Sequence, residues 1–289
     1  MSSSESPPST ASTTAPGVEV RPVNGPMLAP TDASRTAISA EVQDDLIFDL
    51  GGHRGFDTAY YLKKGFRVVT IEANPKLCDL LQSTFAQESK DGKINIVNQC
   101  LWNSDGETIK FYVNLEKDDW SSALPHWANK GQHKVEEIAA ETVTIGTLFN
   151  TFGVPRYIKC DIEGADEIFA HGLMRDGRMP DFVSIEGGSI DAIMFMRATG
   201  YDRVQIVNQM LHNILPPANP PREGQFVDQK FDGFMTGPFG LELDPKRWTT
   251  IADALDRYFM FRRLRGIDDN LARGWLDFHF STAKKISQT

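Results

Sequence analysis

The stretch Leu46–Gly55, LIFDLGGHRG, decides how the rest of this chain is read. A short apolar run ends in a carboxylate, Asp49. A turn carrying Gly51, Gly52 and Gly55 then leads into a segment of helical character beginning at Asp57. That is how the first β-α unit of a nucleotide-binding α/β domain begins. The next apolar run, RVVTI from Arg67, is followed by Glu72, roughly twenty residues beyond the glycines. An acid at that distance, on the C-terminal end of the second strand, sits where Rossmann-type sites hold a pair of ribose hydroxyls.

Outward from this unit, strand and helix patterns alternate. Pro75 opens a helix running through Phe85, Ile94–Cys100 reads as a third strand, and NSDG at 103–106 turns into the alternating run ETIKFYVN. A polar loop holds Trp120 to Trp127, and a helical region ends near Phe152. Arg156–Ile162, Asp181–Glu186 and Arg203–Val207 read as further strands, with helices from Asp166 and Ser189 between them. The alternation predicts a parallel sheet covered on both faces, with ligands at the C-terminal strand ends, where Asp49, Glu72, Asp161 and Glu186 all fall. From 208 to 246 the periodicity fails among Pro216, Pro217, Pro220 and Pro221, which reads as a lid or binding segment. Trp248–Leu264 reads as an amphipathic helix and WLDFHFS, Trp275–Ser281, as a last edge strand.

Residues 1–40 are rich in Ser, Thr, Pro and Ala and poor in large apolar side chains, so they are expected to be a disordered tail before a domain spanning 41–289. A net charge of −9 argues against nucleic-acid or anionic-membrane partners. Cys78, Cys100 and Cys160 are scattered singly, without zinc spacing, as reduced thiols of a cytoplasmic protein would be. No apolar run is long enough to span a bilayer, and no secretory signal is evident.

A glycine turn alone does not name its ligand. A dinucleotide fingerprint wants GxGxxG, whereas the order here is GGxxG behind Asp49. A carboxylate facing a pyrophosphate is unfavourable, but one facing the ammonium and sulfonium of S-adenosylmethionine is not, so these residues favour that cofactor over NAD.

IFDLGGHRGFDT, VTIEANP, NSDGE, YIKCDIEGAD and FVSIEGG, in this order, resemble the FkbM family of S-adenosylmethionine-dependent methyltransferases over about Leu46–Gln209. TGPFG (Thr236–Gly240) and WLDFHF extend the resemblance weakly. Gly52-His53 stands where the family usually has Ala-Asn. The resemblance implies a Rossmann-like class I methyltransferase fold, a mostly parallel seven-stranded sheet with helices on both faces, and methyl transfer, usually to an oxygen of a small molecule or sugar.

Roles follow. Glu72 is expected to accept both ribose hydroxyls, and Gly51, Gly52 and Gly55 to bring the chain close to the methionine part. Asp57 either caps the next helix or reaches the ammonium group. Leu101 and Trp102 are expected beside the adenine, one through a backbone N–H. Asp161 is the candidate base or acceptor-binding group, with Glu163 in support. Asp161, Glu163 and Glu186 are also candidate oxygen ligands for Mg²⁺ or Ca²⁺. His279, and His126 and His133 in the loop, are the histidines within reach of a substrate. A nicotinamide-dependent oxidoreductase and a non-catalytic Rossmann-like binding module are the competing readings.

Overall fold

A computed structural model describes residues 41–187 and 189–287; the expected tail, 1–40, lies outside the described residues. In chain order the strands are β1 (Val42–Leu50), β2 (Arg67–Ile71), β3 (Ile94–Val97), β4 (Cys100–Leu101), β5 (Thr108–Asn114), β6 (Val135–Val143), β7 (Val154–Cys160), β8 (Phe182–Glu186), β9 (Arg203–Asn208), β10 (Thr249–Thr250) and β11 (Leu276–Ser281). The helices are α1 (Phe56–Lys63), α2 (Pro75–Thr84), α3 (Ala86–Lys90), α4 (Pro125–Ala128), α5 (Ile145–Phe152), α6 (Asp166–Asp176), α7 (Ile190–Thr199), α8 (Ile251–Ile267) and α9 (Ala283–Ile286).

The main sheet runs β10-β9-β11-β8-β7-β1-β2-β3, so the expected Rossmann-like order is present, with the two-residue β10 added to seven longer strands. β8, β7, β1, β2 and β3 pair in parallel. β11 is not an edge strand: it lies antiparallel between β8 and β9, and all six of its residues are buried. β4, β6 and β5 form a separate three-stranded sheet. β6, VEEIAAETV, carries helix-forming Glu and Ala and was not legible as a strand; seven register pairs with β5 override that propensity.

Period-two alternation sends Phe48, Leu50, Val69, Ile158, Val183 and Phe278 to one face, where they pack with α5, α6, α7 and α8 through Phe149, Phe169, Met196 and Ala254. Ile47, Val68, Tyr157 and Phe182 face the other way, onto Tyr60 and Tyr61 of α1. Residues 208–246, expected as a lid or binding segment, are largely exposed or half-buried but send Phe231, Met235 and Phe239 into the core on this face: Phe239 stacks on Tyr157 with ring centroids 4.7 Å apart and meets Tyr61 edge-on at 5.1 Å. A buried Lys64–Glu242 ion pair of 2.6 Å ties the segment to the end of α1. Among the described residues no helix is long and apolar enough to cross a membrane.

Candidate active site

The Tyr157 face turns polar toward the C-terminal strand ends, and the register aligns its polar residues across the sheet. Asp49 lies opposite Thr70 on β2 and Lys159 on β7, Lys159 opposite Ser184, Ser184 opposite His279, and His279 opposite Gln205. All six are buried. One step further along, Glu186 lies opposite Asp277. Above this row opens a cavity of about 1720 Å³, walled by Gly51, Gly52, Asp57, Glu72, Leu101, Asp161, Glu163 and Glu186 among others.

Lys159 holds the floor together. Its ammonium donates to the Gly51 carbonyl at 3.0 Å and lies 3.4, 3.8 and 3.5 Å from the carboxylates of Asp49, Asp57 and Asp161. Burial pushes its pKa down, but the three aspartates more than offset this and hold it well above the usual lysine range. Asp49 accepts the Thr58 hydroxyl on Oδ2 at 2.6 Å and turns Oδ1 to Lys159; fully buried, it lies beneath the cavity wall and not in it, so the expected contact with the cofactor is not open to it. Lys159 carried no role in the sequence reading, although a lysine inside the otherwise apolar strand YIKC is itself a signal, because lysine is almost never fully buried unless paired.

Glu72 stands at the end of β2, buried in the cavity wall. One carboxylate oxygen accepts the His53 N–H and the other the Asn74 N–H, both at 2.8 Å. A carboxylate has about four acceptor positions, so each oxygen keeps capacity for a further donor. The His53 bond also fixes the glycine turn against Glu72.

The glycines are set by packing. A Cβ on Gly52 would fall 2.1 Å from Thr70 Cγ2, and one on Gly51, at φ +84°, would fall 1.9 Å from the Asp161 carbonyl oxygen. Gly55 does not line the cavity; it precedes α1 at φ +80° with Phe85 against it.

Several expectations are corrected. Asp57 neither caps α1 nor is open to a ligand on both oxygens: both accept the Thr236 N–H, at 3.1 and 3.2 Å, anchoring TGPFG. The Trp102 N–H is taken by the Val143 carbonyl at 2.9 Å and Trp102 does not line the cavity, which leaves Leu101 there as an apolar contact. His279 lies in the buried row outside the cavity wall, with neither ring nitrogen hydrogen-bonded. Burial, with help from His212 and Arg247, pushes it down to about 3, so it is neutral and cannot act as a base toward a ligand it does not meet. Its neighbour Asp277 is held by Gln209 at 2.6 Å. His126 lines the cavity; His133 instead stacks on Trp120 with ring planes 8° apart.

Glu163 sits in the turn before α6 at φ +49°, while Asp166 bonds the Ile162 and Gly164 N–H groups. The loop 115–134 closes onto this turn: Ser122 donates to the Glu163 carbonyl at 2.7 Å, Lys130 pairs with its carboxylate at 3.0 Å, and the Trp127 indole leaves no room for a Cβ on Gly164. Lys130 also lies 4.5 and 5.0 Å from the Trp120 and Trp127 ring centroids. Asp118 of the same loop pairs with His53 at 3.0 Å and with Arg54. None of these loop contacts was legible in the sequence, since they join segments without periodic pattern.

Asp161, Glu163 and Glu186 do converge, each offering a ligand atom within 4.8 Å of the others. Two of the three already have lysine partners, and only their proximity points to an ion. Asp161 is a weak base: burial raises it, but Lys159 and a hydrogen bond from Glu186 outweigh that and hold it below the usual carboxylate range. Burial and Asp161 push Glu163 up to about 7 and Asp166 to about 6; burial likewise raises Asp57 to about 7.

These raised values fix a pH dependence. Asp57, Glu163 and Asp166 bind protons more tightly folded than unfolded, so their contribution is complete below their ordinary values of 3.8 to 4.5 and is lost as pH rises through about 6 to 7. The ligand-free protein is therefore expected to melt at lower temperature at pH of about 7.5 than at about 5.5. Calorimetry across that range checks it; a melting point that climbs with pH contradicts it.

An open, mostly parallel sheet with an acidic crevice at its strand ends defines a Rossmann-like α/β domain. Residues 49–176 match the model of the methyltransferase FkbM domain. Similar solved structures include a methyltransferase FkbM from Methylobacillus flagellatus KT, 16% identical over 58% of this chain and 41% of that one, with a TM-score of 0.38. Others are a precorrin-6y C5,15-methyltransferase from Geobacter metallireducens GS-15 (14% identity, 66% and 76% covered, TM-score 0.32) and a SAM-dependent O-methyltransferase from Thermotoga maritima (7% identity, 84% and 61% covered, TM-score 0.32). The match thus spans less than half the length of the Methylobacillus protein. No curated protein matches the chain.

Proposed function

We propose that the chain transfers a methyl group from S-adenosylmethionine to an oxygen of a small-molecule or sugar acceptor. The observation that carries the reading is the acidic lining of the cavity, to which Asp57, Glu72, Asp161, Glu163 and Glu186 contribute around the buried Lys159. Such a site favours a cationic ligand and disfavours a pyrophosphate. When bound, the cofactor supplies a methyl group already activated on a positively charged sulfur.

Glu72 receives the two ribose hydroxyls on the acceptor positions its backbone partners leave open. Leu101 packs on the base, and Asp161, kept ionised by Lys159, complements the positive charge. Glu163 takes the acceptor's proton: it faces the cavity and, at about 7, is matched to neutral pH, whereas Asp161 is too weak a base. General-base help of this kind is worth about 10²–10⁴-fold, and the rest falls to orientation. Trp120, Trp127 and Lys130 cover the acceptor side and exclude water.

The test is incubation of the purified protein with methyl-labelled S-adenosylmethionine and a metabolite extract, followed by mass analysis. One labelled product, together with a thermal shift by S-adenosylhomocysteine and none by NADH, is the expected result. A shift by NADH alone would favour an oxidoreductase, and a shift by neither, with no product, a non-catalytic module.

A further inference from the structure

The cavity is larger than one ligand needs: sites for a single small molecule run to about 300–1,000 Å³, and this one encloses about 1720 Å³. The strand order divides it. Glu72, after β2, marks the half read as the nucleoside's, and Asp161 and Glu163 follow β7 in the middle. Beyond them the sheet continues through β8, β11 and β9. Because β11 runs antiparallel to both neighbours, Trp275, just ahead of it, falls at the same edge as the residues that follow β8 and β9; the Gln209 N–H donates to the Trp275 carbonyl at 3.0 Å.

This second half is apolar. Ile190, Met210, Phe234, Phe259 and Trp275 all line it while remaining 40 to 63% exposed, so large apolar side chains face water together in one concavity. A single free cation stands among them. Of the cationic side chains around the whole cavity, Arg54, Lys130, Lys159 and Arg265 each pair with a carboxylate, and Lys117 lies over the Trp120 ring in the loop 115–134. Arg262 makes no ion pair among the described residues. One turn after Tyr258 on α8, it donates through Nη1 to the tyrosine hydroxyl at 3.2 Å and lies 5.9 Å from the ring centroid. Tyr258 is itself buried edge-on against Phe278, which steadies the guanidinium. Only one of its five N–H groups is used in this way, and a planar fork of the remaining donors suits an anionic oxygen pair.

We propose that the methyl acceptor is an amphipathic acid, its apolar ring system or chain seated on Phe234, Phe259 and Trp275 and its anionic group taken by Arg262, which thereby sets acceptor specificity. This rests on the methyl-transfer reading and narrows it. A free sugar would leave the apolar wall in water, and a neutral apolar alcohol would leave Arg262 without a counter-charge. The acids in the middle of the cavity are already answered from within: Asp161 pairs with Lys159 and is hydrogen-bonded to Glu186, and Glu163 pairs with Lys130. Asp191, the other acid on this side, sits in the first turn of α7, where the helix dipole favours it.

Fluorescence titration of the full chain, with and without S-adenosylhomocysteine, tests the site with two probes of one shape: anilinonaphthalene sulfonate, an aromatic anion, and the neutral phenylnaphthylamine. The anion is expected to bind at least about tenfold more tightly, as one charge-assisted contact allows. Arg262→Met is expected to remove that preference. Arg263→Met, which loses the same charge one residue away and outside the cavity wall, is expected to keep it, and Phe234→Ser to weaken both probes. Melting curves confirm folding. A neutral probe bound as tightly as the anion, or a preference that survives Arg262→Met, would overturn the proposal. The labelled product from the extract is expected to be retained both by an anion exchanger and by a reverse-phase resin. A labelled neutral compound or free sugar would overturn the acceptor class while methyl transfer stands, whereas absence of any thermal shift by S-adenosylhomocysteine would sink the methyl-transfer reading itself.

Discussion

Lys159→Met is expected to abolish methyl transfer and to cost about 3–5 kcal/mol of stability at neutral pH, the range for removing one partner of a buried ion pair. The methionine keeps most of the apolar stem but leaves Asp49, Asp57 and Asp161 facing one another without a counter-ion, and the Gly51 carbonyl without its donor. The aspartates would respond by taking up protons, which limits the damage and makes it pH-dependent. The variant should therefore lose more stability against wild type at pH of about 8 than at about 5.5, where its carboxyls are neutralised. Urea unfolding at both pH values reads this directly. A variant as stable as wild type that still binds S-adenosylhomocysteine with wild-type affinity would remove Lys159 from the centre of the site. Lys159 itself stays charged across this range, because its raised folded value lies above the ordinary 10.5.

Glu72→Ala is expected to weaken S-adenosylhomocysteine binding by about 10²–10³-fold or more, as two hydrogen bonds to a charged acceptor are lost at about 1.5–3 kcal/mol each. The same change strips the acceptor from the His53 and Asn74 N–H groups, so some loss of stability accompanies it. Glu72→Gln is the milder change: its amide oxygen still accepts one of the two backbone N–H groups, while its NH₂ faces the other and the charge is gone. Calorimetric titration of both variants, with melting curves to confirm folding, is the measurement. Affinity within about threefold of wild type in a folded alanine variant would place the nucleoside elsewhere.

The base assignment illustrates why chemistry is hard to read from a motif. Asp161 and Glu163 are two residues apart in DIEGAD and look interchangeable as bases. In space Asp161 meets Lys159, whereas Glu163 lies among acids with only Lys130 to offset them. Their pKa values move in opposite directions for that reason, and the more basic group is the one first given the supporting part. His279 shows the same limit from the other side, since nothing in WLDFHF distinguishes a histidine sealed inside a sheet from one that meets a substrate.

Local pattern was enough for the alternation of strands and helices, for the glycine turn after β1, and for the acids at the ends of β2, β7 and β8, because these depend on residues within one or two turns of each other. Only the tertiary structure decided that β11 enters between β8 and β9, that β6 is a strand, and that loop 115–134 closes on Glu163. It alone aligned Asp49 and Lys159 with Ser184 and His279 in one buried row. The physical reason is that pairing register and burial join residues far apart in the chain, and ionisation depends on every charge brought within a few ångströms, wherever in the sequence it lies.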